Sequence, residues 1–171
     1  MFQINDTVVY GTDGICRITG VTERTVGDRT EEYYVLESVF HPALSIFVPI
    51  HNEKLFGKLR RVLSAEEVRT LIHSMPREES LWIEDDGVRK ETYRKIILSG
   101  DREGMVRMIK TLFLRQRELA ARGKKLHQAD ERFFREAEKL LYEEFALVLE
   151  LERDQVAPFI LQELSLKDRK G

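Results

Sequence analysis

The period of the hydrophobic pattern changes near residue 50, and that change constrains the fold more than any other feature of the chain. Before it, Val8-Val9-Tyr10, Cys16-Arg17-Ile18-Thr19-Gly20-Val21, Tyr33-Tyr34-Val35-Leu36 and Ser45-Ile46-Phe47-Val48 are short runs rich in β-branched and aromatic residues. Asp13-Gly14, Gly27-Asp28 and His41-Pro42 punctuate them. Short strands at this spacing, with turn residues between them, predict a small all-β barrel or sheet.

After Pro49 the 3,4 spacing of helices takes over. Ser64 with Glu67 forms a capping box ahead of Val68, Leu71 and Ile72, and Pro76 stops that helix. A second helix is expected over about 88–98, ending at Ser99-Gly100. Asp101 caps a third, with Met105, Met108, Ile109, Leu112 and Phe113 on one face. Gly123 interrupts before Leu126, and a fourth helix follows over about 130–151. A last one is expected over 156–164, where Pro158 is tolerated near the first turn, with a frayed tail over 167–171. The expected fold class is α+β. Residues 1–52 form a small β-barrel, 53–62 a connector, and 63–171 an all-helical domain of about five helices.

Composition narrows the function classes. The 171 residues hold 28 Lys+Arg against 30 Asp+Glu, a net charge of -2, which excludes a uniformly basic nucleic-acid binder but not a local patch. One cysteine, Cys16, excludes an intramolecular disulfide and a cysteine-rich zinc site. The histidines His41, His51, His73 and His127 stand in no metal-binding spacing, and no glycine-rich phosphate loop is present, so neither catalysis nor a cofactor is expected. The N-terminus shows no basic run leading into an apolar one, and no 18-residue apolar stretch occurs. The expectation is a soluble cytoplasmic protein with no membrane partner and no small-molecule substrate.

Charge is nevertheless segregated. Residues 87–135 carry 14 basic and 6 acidic side chains, whereas 61–86 and 136–171 are each net -4. Such a basic middle is the footprint of phosphate binding, or a solvated helical pair offset by acidic neighbours. Trp82, the only tryptophan, stands ahead of Arg89, Lys90, Arg94 and Lys95. It reads either as a core residue or as an aromatic wedge beside phosphate-binding bases. Arg89, Lys90 and Arg94 are expected on one helical face. The sheet's free edges offer a docking surface for another protein's strand.

Several segments together resemble the CarD/CdnL family of bacterial transcription regulators. In the first part these are Asp6-Thr7-Val8-Val9-Tyr10, Gly14, Glu23-Arg24-Thr25, Glu32-Tyr33-Tyr34-Val35-Leu36 and Val48-Pro49. In the second they are Trp82, Ser99-Gly100-Asp101 and Glu143-Glu144-Phe145-Ala146-Leu147. The N-terminal segments are similar to the Tudor-like module that this family shares with the transcription-repair coupling factor. The resemblance implies a Tudor-like barrel that docks on the β subunit of RNA polymerase, through Arg24, Thr25 and the strand Ile46-Phe47-Val48-Pro49. It also implies a helical domain that meets double-stranded promoter DNA at the upstream edge of the melted region. There Trp82 would wedge into the minor groove, with Arg89, Lys90, Arg94, Lys95, Lys124 and Lys125 on the backbone. The implied result is a stabilised open complex; the alternative is an adaptor that binds no DNA.

Overall fold

The computed structural model describes residues 2–170, with side chains for 2–165. The chain divides into two compact units, Met1–Val62 and Leu63–Gly171.

The first unit is a five-stranded antiparallel sheet of β1 (Thr7–Tyr10), β2 (Gly14–Val26), β3 (Arg29–Ser38), β4 (Ser45–Pro49) and β5 (Leu59–Arg61). Their spatial order is β4-β3-β2-β1-β5. The barrel expected from the sequence is an open sheet instead. β4 and β5 occupy opposite edges, and no pairing joins them among the described residues. The stretch read as a connector holds a single helical turn, α1 (Glu53–Phe56), and β5, which pairs with β1 through Tyr10 and Leu59. Alternation explains the core: Val8, Tyr10, Cys16, Ile18, Tyr34, Leu36, Val48 and Leu59 gather on one face. Burial pushes the Cys16 thiol up to about 11, which keeps it protonated and inert. The β2–β3 hairpin closes through the two residues Gly27-Asp28, and Gly27 takes the positive φ (+65°) that such a turn needs.

The second unit packs α2 (Ala65–Ser74), α3 (Asp86–Ser99), α4 (Arg102–Ala121), α5 (Gln128–Leu149) and α6 (Val156–Lys170). The capping box on α2 is reciprocal. Ser64 Oγ accepts from the Glu67 amide, and Glu67 Oε1 accepts from the Ser64 amide, both at 3.1 Å. Pro76 falls in a 3-10 turn, Met75–Arg77, that ends α2. Asp85 starts α3 two residues before the expected point by accepting from the Val88 amide at 2.8 Å. Gly100 (φ +67°) and Gly123 (φ +70°) close α3 and α4 in the left-handed conformation. Phe113 corrects an expectation: the buried stripe of α4 runs through Met105, Met108 and Leu112, and Phe113 turns out of it to 47% exposure. The tail expected to fray continues α6 to Lys170, and Gly171 lies outside the described residues.

Two apolar clusters hold this unit together, one centred on Ile72, Leu141 and Phe145, the other on Tyr93, Met108 and Leu112. Several basic residues of the central segment serve the framework. Arg102 makes two 2.7 Å bonds to the carboxylate of buried Glu144, which also accepts from the Leu63 amide at 3.0 Å. Lys110 Nζ donates to the carbonyls of Met75, Pro76 and Glu78 at 3.0–3.1 Å, satisfying acceptors left over where α2 ends. Among the described residues no helix is long and apolar enough to cross a membrane.

Candidate nucleic-acid interface

Trp82 lies on the irregular segment between the 3-10 turn and α3, and two neighbouring bonds pin that segment to the helices. The Leu81 amide donates to Thr111 Oγ1 of α4 at 2.8 Å, and Tyr93 Oη of α3 donates to the Leu81 carbonyl at 2.9 Å. The indole packs partly buried against the Tyr93–Leu112 cluster. Its Nε1 donates to Glu84 at 3.1 Å. Two guanidinium groups lie over the ring, Arg89 at 4.4 Å and Arg115 at 4.5 Å from its centre. Contacts of this kind are worth roughly 0.5–2 kcal/mol each, more where water is excluded.

The two arginines differ in what else they do. Arg89 is 2% exposed. Its Nε and Nη2 donate to the two oxygens of buried Asp130 on α5, each at 3.0 Å. Nη2 also donates to Asp86 at 2.7 Å, and Nη1 to the Ile83 carbonyl at 2.8 Å. The Arg89 hydrogen bond holds the Asp86 carboxyl below its usual range. This guanidinium is thus a rivet joining α3, α5 and the Trp82 segment. The face expected to combine it with Lys90 and Arg94 does not form. One residue is about 100° of helix, so Arg89 points inward while Lys90, Arg94 and Lys95 are exposed. Arg94 pairs with Glu91 at 3.1 Å.

Arg115 is about one-third exposed, and its only ion pair among the described residues is with Glu118, at 3.4 Å. Its Nε is buried with no hydrogen-bond partner among the described residues. Beyond it, Gly123 reverses the chain. The Gly123 amide donates to the Ala120 carbonyl and the Lys124 amide to that of Leu119, which places Lys124 and Lys125 at the mouth of a cavity of about 330 Å³. Trp82, Arg89, Arg115, Arg122, Lys124 and Lys125 line it. Of the residues singled out in the sequence, Trp82, Arg89, Lys124 and Lys125 therefore come together, whereas Lys90, Arg94 and Lys95 do not line this cavity. Arg115, Arg122 and Asp130 were not legible as members.

The three consecutive carboxylates Glu84, Asp85 and Asp86 all have local partners. Glu84 accepts from the indole, Asp85 caps α3, and Asp86 pairs with Arg89.

In the sheet unit, the Arg24 guanidinium lies 3.7 Å over the Phe47 ring. The pairing Gly20↔Val35↔Phe47 puts both on the outer face of the sheet. Thr25 Oγ1 is 2.9 Å from Thr30 Oγ1 across the hairpin. Ile46 and Pro49 are half-buried, and the Val48 side chain is wholly buried in the core, so only its backbone is available on the edge strand. β4 pairs with β3 alone, leaving its other edge open.

No group of three or more His, Cys, Asp or Glu residues is arranged to hold a metal ion among the described residues. No curated protein sequence matches the chain. Residues 2–63 match a known family, the CarD-like/TRCF RID domain. That span coincides with the sheet unit up to Val62, so the sheet unit is similar to the CarD-like/TRCF RID domain, a family of modules that interact with RNA polymerase.

Proposed function

We propose that this protein is a non-catalytic transcription regulator that binds the RNA polymerase β subunit through its sheet unit and promoter DNA through its helical unit, stabilising the open complex. One observation carries the reading. A chain whose first unit matches the CarD-like/TRCF RID domain holds its only tryptophan in a cavity lined also by Arg115, Arg122, Lys124 and Lys125.

The mechanism is mechanical. Arg24, Thr25, Phe47 and the open edge of β4 hold the polymerase by strand addition and a cationic–aromatic patch. Tethering raises the effective concentration of the helical unit at the upstream edge of the melted region, so a weak DNA contact suffices. Lys124 and Lys125, joined by Lys90, Arg94 and Lys95 along α3, grip phosphates without reading sequence. Arg89 positions Trp82 rather than touching DNA. For the indole to enter a base step, a guanidinium over it must give way, and Arg115 is the one that can, being tied only to Glu118. Unstacking costs a few kcal/mol. A preference of ~1.4 kcal/mol for the distorted duplex is already about tenfold in population.

The adaptor reading draws on the framework roles of Arg89, Arg102 and Lys110, which remove charge from the basic segment. The test is a pair of variants assayed for polymerase binding and for promoter opening. Trp82→Ala is expected to keep polymerase binding and lose the effect on the promoter. Arg24→Glu is expected to lose both. A folded Trp82→Ala protein with full promoter effect overturns the DNA half of the proposal.

A further inference from the structure

The two arginines over Trp82 are chemically unequal, and the inequality points to a ligand. Stacking occupies the face of a guanidinium and leaves its N–H edge for hydrogen bonds. The edge of Arg89 is filled by Asp130, Asp86 and the Ile83 carbonyl. The edge of Arg115 is not: Nε is buried without a partner, and Nη1 has only the 3.4 Å contact with Glu118. A charged donor buried without an acceptor is costly, more so than a neutral one. The cavity wall also carries Arg122, Lys124 and Lys125, none with an ion-pair partner among the described residues, while its carboxylates Glu84, Asp86 and Asp130 are engaged by Trp82 and Arg89. The surplus is positive, and its geometry is a fork flanked by two flexible ammonium groups.

We propose that this cavity is a phosphate-binding site anchored by Arg115, with Arg122, Lys124 and Lys125 completing the neutralisation of one phosphate or pyrophosphate group. Planar guanidinium donors match phosphate oxygens in pairs. A space of about 330 Å³ admits a pyrophosphate together with the waters that hydrate its outer oxygens. The phosphate comes either from a free phosphorylated molecule or from a nucleic-acid backbone, and only the second source rests on the function proposed above.

Trp82 makes the test direct, because the only tryptophan of the chain lies against the anchor. Its emission is titrated with inorganic pyrophosphate and, separately, with a short DNA duplex, each at constant ionic strength. Saturable change with pyrophosphate is expected, weakened at least tenfold by Arg115→Gln and by the loop variant Lys124→Gln/Lys125→Gln. Lys139→Gln, an exposed site outside the cavity, leaves it unchanged. The same pattern with the duplex alone assigns the phosphate to a nucleic-acid backbone. No saturable change with either probe overturns the site, as does a change that both variants retain or that sodium chloride of equal ionic strength reproduces. A Trp82-dependent promoter effect in a protein that gives no saturable change with either probe sinks the site and spares the proposed function. Pyrophosphate binding with the expected variant pattern, in a protein without promoter effect, does the reverse.

Discussion

The two units treat charge in opposite ways. In the sheet unit every charged side chain among the described residues stays out of the core, which is built of apolar residues and Tyr10, Cys16 and Tyr34. In the helical unit Arg89, Asp130 and Glu144 are buried, and they tie together segments 41 and 42 residues apart. The contrast teaches how to read the basic middle of the chain. A count of Lys and Arg in sequence adds framework cations to surface cations. Arg89, Arg102 and Lys110 belong to the framework, whereas Lys124 and Lys125 face solvent beside Trp82. The Arg24 guanidinium on the sheet, by contrast, is exposed and lies over the Phe47 ring.

Breaking the framework gives the largest expected effect. Asp130→Ala leaves Arg89 buried without its main counter-charge and is expected to destabilise the helical unit by about 3–5 kcal/mol. Trp82 emission during urea unfolding measures this, and Arg89→Met/Asp130→Leu is expected to recover part of the loss because both charges go together. A loss under ~1 kcal/mol for Asp130→Ala would contradict the framework role.

The next effect is alkaline. Burial, followed by the Asp130 charge, pushes the Tyr93 hydroxyl up to about 12, from the ordinary tyrosine range of about 10. Since the folded value exceeds the unfolded one, this stability is full below pH 10 and is lost as pH rises toward 12, on the order of 2 kcal/mol. Tyr93→Phe flattens that stretch of the stability–pH curve, at the cost of the bond to the Leu81 carbonyl.

Smaller still is a helix end. Gly100 and Gly123 take the left-handed positions that close α3 and α4, but Glu150 takes the matching one after α5, at φ +56°. Its amide donates to Leu147 and that of Leu151 to Ala146, the pattern that favours glycine. Glu150→Gly is therefore expected to stabilise the helical unit by about 0.5–1 kcal/mol in thermal melts. The least effect on stability belongs to the sheet surface. Phe47→Ala removes the Arg24 stacking and is expected to cost under ~1 kcal/mol, while polymerase affinity measured on the same protein falls.

Local chemistry made most of the fold legible. The Ser64–Glu67 box, the Gly100-Asp101 break and the strand runs each need only residues a few positions apart. β5 escaped because Leu59-Arg60-Arg61 is too short and too basic to read as a strand, and it becomes one only by adding to β1. The open sheet escaped for a related reason, since closure depends on which strands meet at the edges and not on any one strand's pattern. The candidate site was half legible. Trp82, Lys124 and Lys125 stood out by residue type. Arg89 was misplaced because an arginine is by default exposed, and its partner Asp130 lies 41 residues away. Arg115 carried no signal at all, since its meaning comes from lying over an indole 33 residues earlier.

On the proposed function, one unit tethers the protein to polymerase while the other favours opened promoter DNA. The most direct measurement is the lifetime of a promoter open complex after competitor challenge, with and without this protein, using polymerase from the same organism. A longer lifetime is expected with the intact protein, lost with Trp82→Ala although polymerase binding persists. A lifetime unchanged by intact protein that is demonstrably bound to polymerase would contradict it.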